Sequence, residues 1–334
     1  MRCASAIGAS VSSKNIPRVV IVSPALAAAN NGNWHTAARW SRLLRRHCRT
    51  EIVLHWQRQA HDLLIALHAR RSAESIAAHA AALPDTPRIV VLTGTDLYRD
   101  IRSDASAQRS LELATRLVVL QSCGADELAP RLREKTAVVV QSATPLRPVA
   151  KSSRRLLAVM VGHLRDEKDP LAFMRAAGRL RARDDIRFEH IGDALDPALG
   201  EAARRTMRET PHYVWRGALA RAAARQRMRR AHVLVHASRI EGGAQVIIEA
   251  VQAGTPVIAS RIPGNLGLLG RDWPATFDVG DDAALAALLE RARDEPAFLQ
   301  RLQDHARAIA PRFSPDAERA ALLHLVHSTL ETSR

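Results

Sequence analysis

Aromatic residues are scarce in this chain of 334 residues, where Phe, Trp and Tyr together make up 4%. Its cores must therefore rest on Ala, Leu, Val and Ile, which the 47% hydrophobic fraction supplies. The three cysteines, Cys3, Cys48 and Cys123, form no Cys-x-x-Cys pair and show no metal-ligand spacing. That excludes a disulfide framework and reads as reduced structural thiols in a cytoplasmic protein. No apolar run approaches the roughly 18 residues of a membrane span, so none is expected. Residues 1–16 lack acidic residues and a continuous apolar stretch. A secretory signal is therefore not expected, and residues 1–17 read as a disordered extension. There is no Asp-x-Asp pair, and neither a metal site nor a cofactor is predicted.

Lysine is also rare. Only Lys14, Lys135, Lys151 and Lys168 occur, so arginine carries nearly all of the net charge of +15. The excess is spread over both halves, with no basic tail and no basic stripe interleaved with aromatics. This pattern argues against nucleic acid and fits affinity for small anions.

The chain is long enough for two domains. Apolar strand-like runs fall at 18–23, 51–55, 63–67, 88–93, 117–121 and 136–140, and helical stretches separate most of them. The segment 142–153, with its Pro and Ser residues, breaks the pattern and reads as a linker. The alternation then restarts, with strands at 156–161, 187–191, 212–215, 233–236, 256–260 and 275–278. Strands alternating with helices predict parallel, doubly wound sheets. The expected architecture is α/β, with an N-terminal Rossmann-like acceptor domain over 18–150 and a Rossmann-like donor domain over 151–312 facing it across a cleft. A final helical segment, 313–334, is expected to pack back toward the N-terminal domain. Ligands of such sheets bind beyond the carboxyl ends of the strands, and that rule selects the loops to examine.

Two loops of the second domain carry chemistry. Gly162-His163-Leu164-Arg165-Asp166-Glu167-Lys168 leaves a strand and feeds a helix N-terminus, an end whose free N–H groups and dipole attract phosphate. Arg165 and Lys168 add cations there, although the neighbouring acids could equally make this a solvated charged turn. The segment from Ser238 through Glu241, Gly242, Gly243 and Ala244 to Glu249 follows a buried strand. Its glycines allow close backbone approach. Glu249, in the second turn of the next helix, suits ribose hydroxyls, and Glu241 stands nearer a sugar.

At this point the sequence resembles a family. Glu241…Glu249 matches the E-x7-E signature of the large retaining family four of GT-B glycosyltransferases. Gly162…Glu167-Lys168, Ile191-Gly192-Asp193, Trp215-Arg216-Gly217 and Gly254-Thr255-Pro256-Val257 fit the same pattern. The resemblance implies a nucleoside-diphosphate-sugar donor, with Lys168 and a nearby Arg on the diphosphate, Glu249 on the ribose and Glu241 on the sugar. Where that family has Arg after the loop glycine, this chain has His163, with Arg165 two residues on. The diphosphate leaving group gains negative charge, and fixed cations with helix ends would stabilise it without a metal. Donor-site expectations are Gly162, His163, Ser238, Gly242, Gly243, Ala244, Glu249 and Asn265. Arg165, Lys168, Glu241 and His35 are the catalytic candidates.

On the acceptor side, the strand-end loops of the first domain are polar and rich in Arg, with no aromatic platform for a glycan. Asn31, Gly32, Asn33, Arg39, His68, Arg70, Arg71, Thr93, Thr95 and Tyr98 are the candidates, and they suit a small anion. The runs Pro24–Trp34, Leu67–Ser72, Leu92–Tyr98 and Arg261–Gly267 resemble the bacterial selenosugar synthases of selenoneine biosynthesis. That resemblance implies a UDP-sugar, UDP-N-acetylglucosamine typically, and selenophosphate as substrates. It also implies functional links to a selenophosphate synthetase and to a downstream selenoneine-forming enzyme. Selenophosphate is a soft nucleophile that is already anionic and needs positioning more than a base. His35 and His68 stand as candidates if a base is needed. Open alternatives are transfer to a hydroxyl acceptor, hydrolysis or epimerisation of the UDP-sugar, and a non-catalytic sugar-nucleotide-binding protein.

Overall fold

The computed structural model describes residues 16–26 and 32–332. The expected extension over 1–17 therefore lies almost wholly outside the described residues, as do Cys3 and the acceptor candidate Asn31.

The short apolar runs form two six-stranded sheets in which every pairing is parallel. The first comprises β1 (Arg18–Val22), β2 (Arg49–Val53), β3 (Leu63–Leu67), β4 (Arg88–Leu92), β5 (Arg116–Val119) and β6 (Thr136–Val138). The second comprises β7 (Leu156–Val161), β8 (Ile186–Ile191), β9 (Tyr213–Trp215), β10 (Val233–His236), β11 (Val257–Ser260) and β12 (Thr276–Phe277). Each lies on a run expected from the sequence. β3 is buried along its whole length and β7 over most of it, as a sheet covered by helices on both faces requires.

The sheet orders are β2-β1-β3-β4-β5-β6 and β12-β11-β10-β7-β8-β9. In the first, the chain reverses direction between β1 and β3. In the second, it reverses between β7 and β10. Such reversals open a crevice at the strand ends, because the crossover helices on either side lie on opposite faces. The loops after β7 and β10 flank the second crevice, and the loop after β3 flanks the first.

Each face of the first sheet has its own apolar cluster. One includes Leu322, Leu325 and Val326 of the C-terminal helix Pro315–Thr332, which thus crosses back onto the N-terminal sheet. A larger cluster forms the core of the second unit. Cys48 and Cys123 are buried free thiols. Among the described residues, no helix is long and apolar enough to cross a membrane.

Candidate functional site

The loop after β7 carries Gly162, His163 and Arg165 into a 3-10 turn, Asp166–Lys168, and then into the helix Pro170–Arg179. The Lys168 stem lies alongside Gly162, where a Cβ would meet its Cγ and Cδ at 3.6 Å. Its Nζ reaches the next loop and donates to Glu241. Glu241 also accepts from Ser238 Oγ at 2.8 Å and lies 3.3 Å from Nε2 of the buried His236. Burial alone would raise the Glu241 carboxyl pKa, but Lys168 and His236 reverse that and hold it well below the usual carboxylate range. Burial pushes the His236 pKa down in turn, with Glu241 opposing. His236 had no signal in the sequence beyond its place at the end of a strand.

Glu249 stands on the helix Gln245–Gln252 and accepts from Arg221 Nε at 2.7 Å. Arg221 opens the helix Arg221–Arg230, and sequence reasoning missed it. In an Arg-rich helix nothing in the sequence distinguishes the arginine that faces the cleft. His35, on the first helix Gly32–Leu44, has its pKa lowered by burial, then by Arg221 and Arg39, against Glu249.

The two units meet backbone to backbone at these loops. A Cβ on Gly242 would lie 2.3 Å from the Thr93 carbonyl oxygen and 2.5 Å from Gly94 N. Only glycine permits that approach. The run Arg261–Gly267, read from the sequence as a motif without an element, leads into and overlaps the helix Pro263–Leu269. A Cβ on Gly267 would lie 1.7 Å from Gln121 Oε1, and Ser122 Oγ donates to the Gly267 carbonyl at 3.0 Å. Tertiary contact with the other unit accounts for glycine inside a helix there.

Two adjoining cavities lie between the units. The larger, of about 400 Å³, is lined on the first unit by Gly32, Asn33, His35, Arg39 and Thr93, and on the second by Gly162, His163, Arg221, Gly243 and Glu249. The smaller, of about 230 Å³, gathers His68, Arg71, Thr93 and Thr95 from one side and Arg165, Glu241 and Gly242 from the other. Candidates read separately from the two halves of the sequence therefore share one cleft.

Of the other expected residues, Asn265, Tyr98, Arg70, Ser238 and Ala244 stand outside the lining of both cavities. Asn265 is buried behind the site and donates from Nδ2 to Ser260 at 3.0 Å. The Tyr98 hydroxyl accepts from Gln121 Nε2 at 3.0 Å, and Arg70 faces Asp100 at 3.6 Å on the surface. Ser238 and Ala244 are buried, with Ser238 bracing Glu241. His163 Nδ1 accepts from Asp193 N at 3.0 Å, so its ring lines the cavity from a fixed position.

The loops after β3 and β4 are held by Asp96, fully buried, which accepts from the backbone N–H groups of Ala69, Thr93 and Gly94 at 2.8–3.0 Å. Its carboxylate is thus occupied by three backbone donors. His68 adopts a left-handed backbone conformation (φ 72°). Its Nδ1 accepts from Arg71 N at 3.3 Å and its Nε2 lies 3.1 Å from Thr95 Oγ1. Burial lowers its pKa, against Asp96. A neutral ring with Nδ1 occupied by an N–H donor carries its proton on Nε2.

The fold has known counterparts. Residues 155–294 match the sequence profile of the family described as Glycosyl transferases group 1. An 82-residue stretch is 39% identical to the lipopolysaccharide core biosynthesis glycosyltransferase LpsD of Rhizobium meliloti (strain 1021), spanning 24% of this chain and 24% of that protein. The structure is similar to that of Anabaena HepE in complex with UDP and glucose, with a TM-score of 0.72 at 15% identity over 93% of this chain and 100% of that one. It is also similar to sucrose-phosphate synthase from Thermosynechococcus elongatus, with a TM-score of 0.75 at 15% identity over 95% of this chain and 100% of that one. The fold they share is GT-B.

Proposed function

We propose that this protein is a glycosyltransferase that moves a sugar from a UDP-sugar, UDP-N-acetylglucosamine in particular, to selenophosphate. The observation that carries the donor half is the pairing of the β7 and β10 loops at one switch point. That pairing sets Lys168 against Glu241, with the start of the helix Gln245–Gln252 beside them. A diphosphate at this point meets a cation and free N–H groups. Glu249 and Arg221 line the deeper cavity, where the nucleoside fits.

The acceptor half rests on the chemistry of the smaller cavity. Its cations are Arg71 and Arg165, and its carboxylates already have partners. Glu241 holds Lys168, and Glu167 lies 3.8 Å from Arg99 and 3.9 Å from Arg165. A hydroxyl acceptor needs a free base to take its proton, whereas a selenium anion needs only to be held and aimed. In the proposed step a selenium lone pair forms the Se–C1 bond as the C1–O bond breaks, and that electron pair leaves with UDP. Arg165, Lys168 and the helix start stabilise the departing charge. The reading places the protein in the cytoplasm, between a selenophosphate synthetase and a selenoneine-forming enzyme, and requires no metal.

The test is direct: incubate the protein with UDP-N-acetylglucosamine and fresh selenophosphate, then follow UDP and a selenium-bearing sugar by mass spectrometry. UDP release that is indifferent to selenophosphate refutes the selenium acceptor. The stretch shared with a lipopolysaccharide core enzyme favours a sugar hydroxyl as the second reading, and UDP release driven by such an acceptor alone would support it.

A further inference from the structure

Glu318 sits on the C-terminal helix, far along the chain from the β7 and β10 loops, yet it is only 1% exposed. Five hydrogen bonds converge on its carboxylate. Arg39 Nε reaches both oxygens at 3.0 Å and Trp40 Nε1 reaches one at 2.9 Å. Ser142 donates to the other from its backbone N at 2.8 Å and from its hydroxyl at 2.5 Å. Ser142 belongs to the segment joining the two units, and its carbonyl accepts from Gln245 Nε2 at 2.9 Å. Glu318 thus ties the first helix, the linker and, through Ser142, the helix start of the donor loop into one network.

The geometry of the Arg39 pair is unusual. A guanidinium normally meets a carboxylate through two parallel N–H donors. Here Glu318 takes only Nε, and neither Nη makes a hydrogen bond among the described residues. Arg39 is 6% exposed and Nη2 is buried without a partner. The same side chain lines the larger cavity, beside His35 one turn earlier and Arg221 across the cleft. A buried guanidinium with an unused fork is costly unless a ligand fills it. A planar fork of N–H donors matches the oxygens of a phosphate. With Nε pinned, that fork is fixed in direction before any ligand arrives.

We propose that the Nη fork of Arg39 is an oxyanion subsite for a phosphate-class group, and that Glu318 is the positioning residue that aims it. The subsite deepens the reading of the cleft given above and rests on it. The oxyanion belongs to the nucleotide or to a free phosphate-like acceptor, and the test separates these sources.

The probes are UDP and thiophosphate, the latter a sulfur analogue of selenophosphate, each titrated calorimetrically against the full-length protein. The variants are Arg39→Gln, Glu318→Gln and the double variant. Because Arg39→Gln strands a buried carboxylate, the double variant removes both charges and keeps the test valid if the single change fails to fold. Arg39→Gln, or the double variant, is expected to weaken one ligand at least tenfold. Loss confined to UDP assigns the oxyanion to the nucleotide, and loss confined to thiophosphate assigns it to the acceptor. Glu318→Gln is expected to weaken the same ligand at least threefold and leave the other unchanged. Affinities equal to wild type for both ligands in the folded Arg39 variants overturn the subsite. A Glu318→Gln protein with a lowered melting temperature and intact affinities overturns the positioning role. Wild-type protein that ignores UDP overturns the donor reading instead, and the thiophosphate arm still reports on Arg39.

Discussion

Replacing Lys168 by Met removes a charge while keeping the stem that lies along Gly162. Two effects follow. Glu241 loses its strongest counterion and keeps Ser238 at 2.8 Å and the buried His236 at 3.3 Å. Burial then dominates, and the carboxyl pKa rises from its depressed position. Removing one partner of a buried pair costs about 3–5 kcal/mol. The side chains of Lys168 and Glu241 keep 17% and 12% exposure, so about 2 kcal/mol is expected, a shift of roughly 2–4 °C in melting temperature for a chain of this size. The second effect is on ligand binding. One hydrogen bond to a charged group contributes about 1.5–3 kcal/mol, so UDP affinity should fall roughly tenfold to a hundredfold. Calorimetric titration of UDP against wild type and Lys168→Met, with thermal melts of both, measures the two effects separately. Unchanged UDP affinity in a destabilised variant would show that Lys168 serves only to hold Glu241, and would refute its placement on the diphosphate.

Gly242→Ala would put a methyl group 2.3 Å from the Thr93 carbonyl. It should hold the two units apart and lower kcat/KM for sugar transfer by about tenfold to a hundredfold, since displacement of about 1 Å is that costly; a fully active Gly242→Ala enzyme would contradict the close apposition. Glu249→Gln weakens the hold on Arg221 and on the ribose together, and UDP should bind roughly tenfold more weakly while inorganic thiophosphate binds as before. His190 is buried against Tyr213 at 3.0 Å, and burial pushes its pKa down to about 4. The folded state therefore refuses a proton that the unfolded chain accepts below about 6.5, so stability is at its full value above that pH and falls on acidification down to about 4. Urea melts between pH 7 and pH 4.5 should show the decline, and His190→Gln should flatten it; an equal slope in the variant removes His190 from the account.

The strands and the loops after β7 and β10 could be read from the sequence because their determinants are local. A run such as Leu63–Leu67 is apolar in consecutive positions, so it belongs to a covered parallel sheet whatever surrounds it. The Gly-Gly pair between Glu241 and Glu249 likewise announces close approach at a helix start. Strand order was not local. The reversals between β1 and β3 and between β7 and β10 are decided by which face each crossover helix covers, and they set the two groups of loops opposite one another. Nor did the sequence distinguish among its arginines. Arg70 lies at the surface, Arg221 binds Glu249, and Arg39 lines the cavity with its Nε held by Glu318 from 279 residues away. Composition determined that cations, nearly all of them arginine, would outnumber acids. Tertiary structure alone decided which cations are held still, because only burial and a fixed partner remove the freedom that a surface arginine keeps.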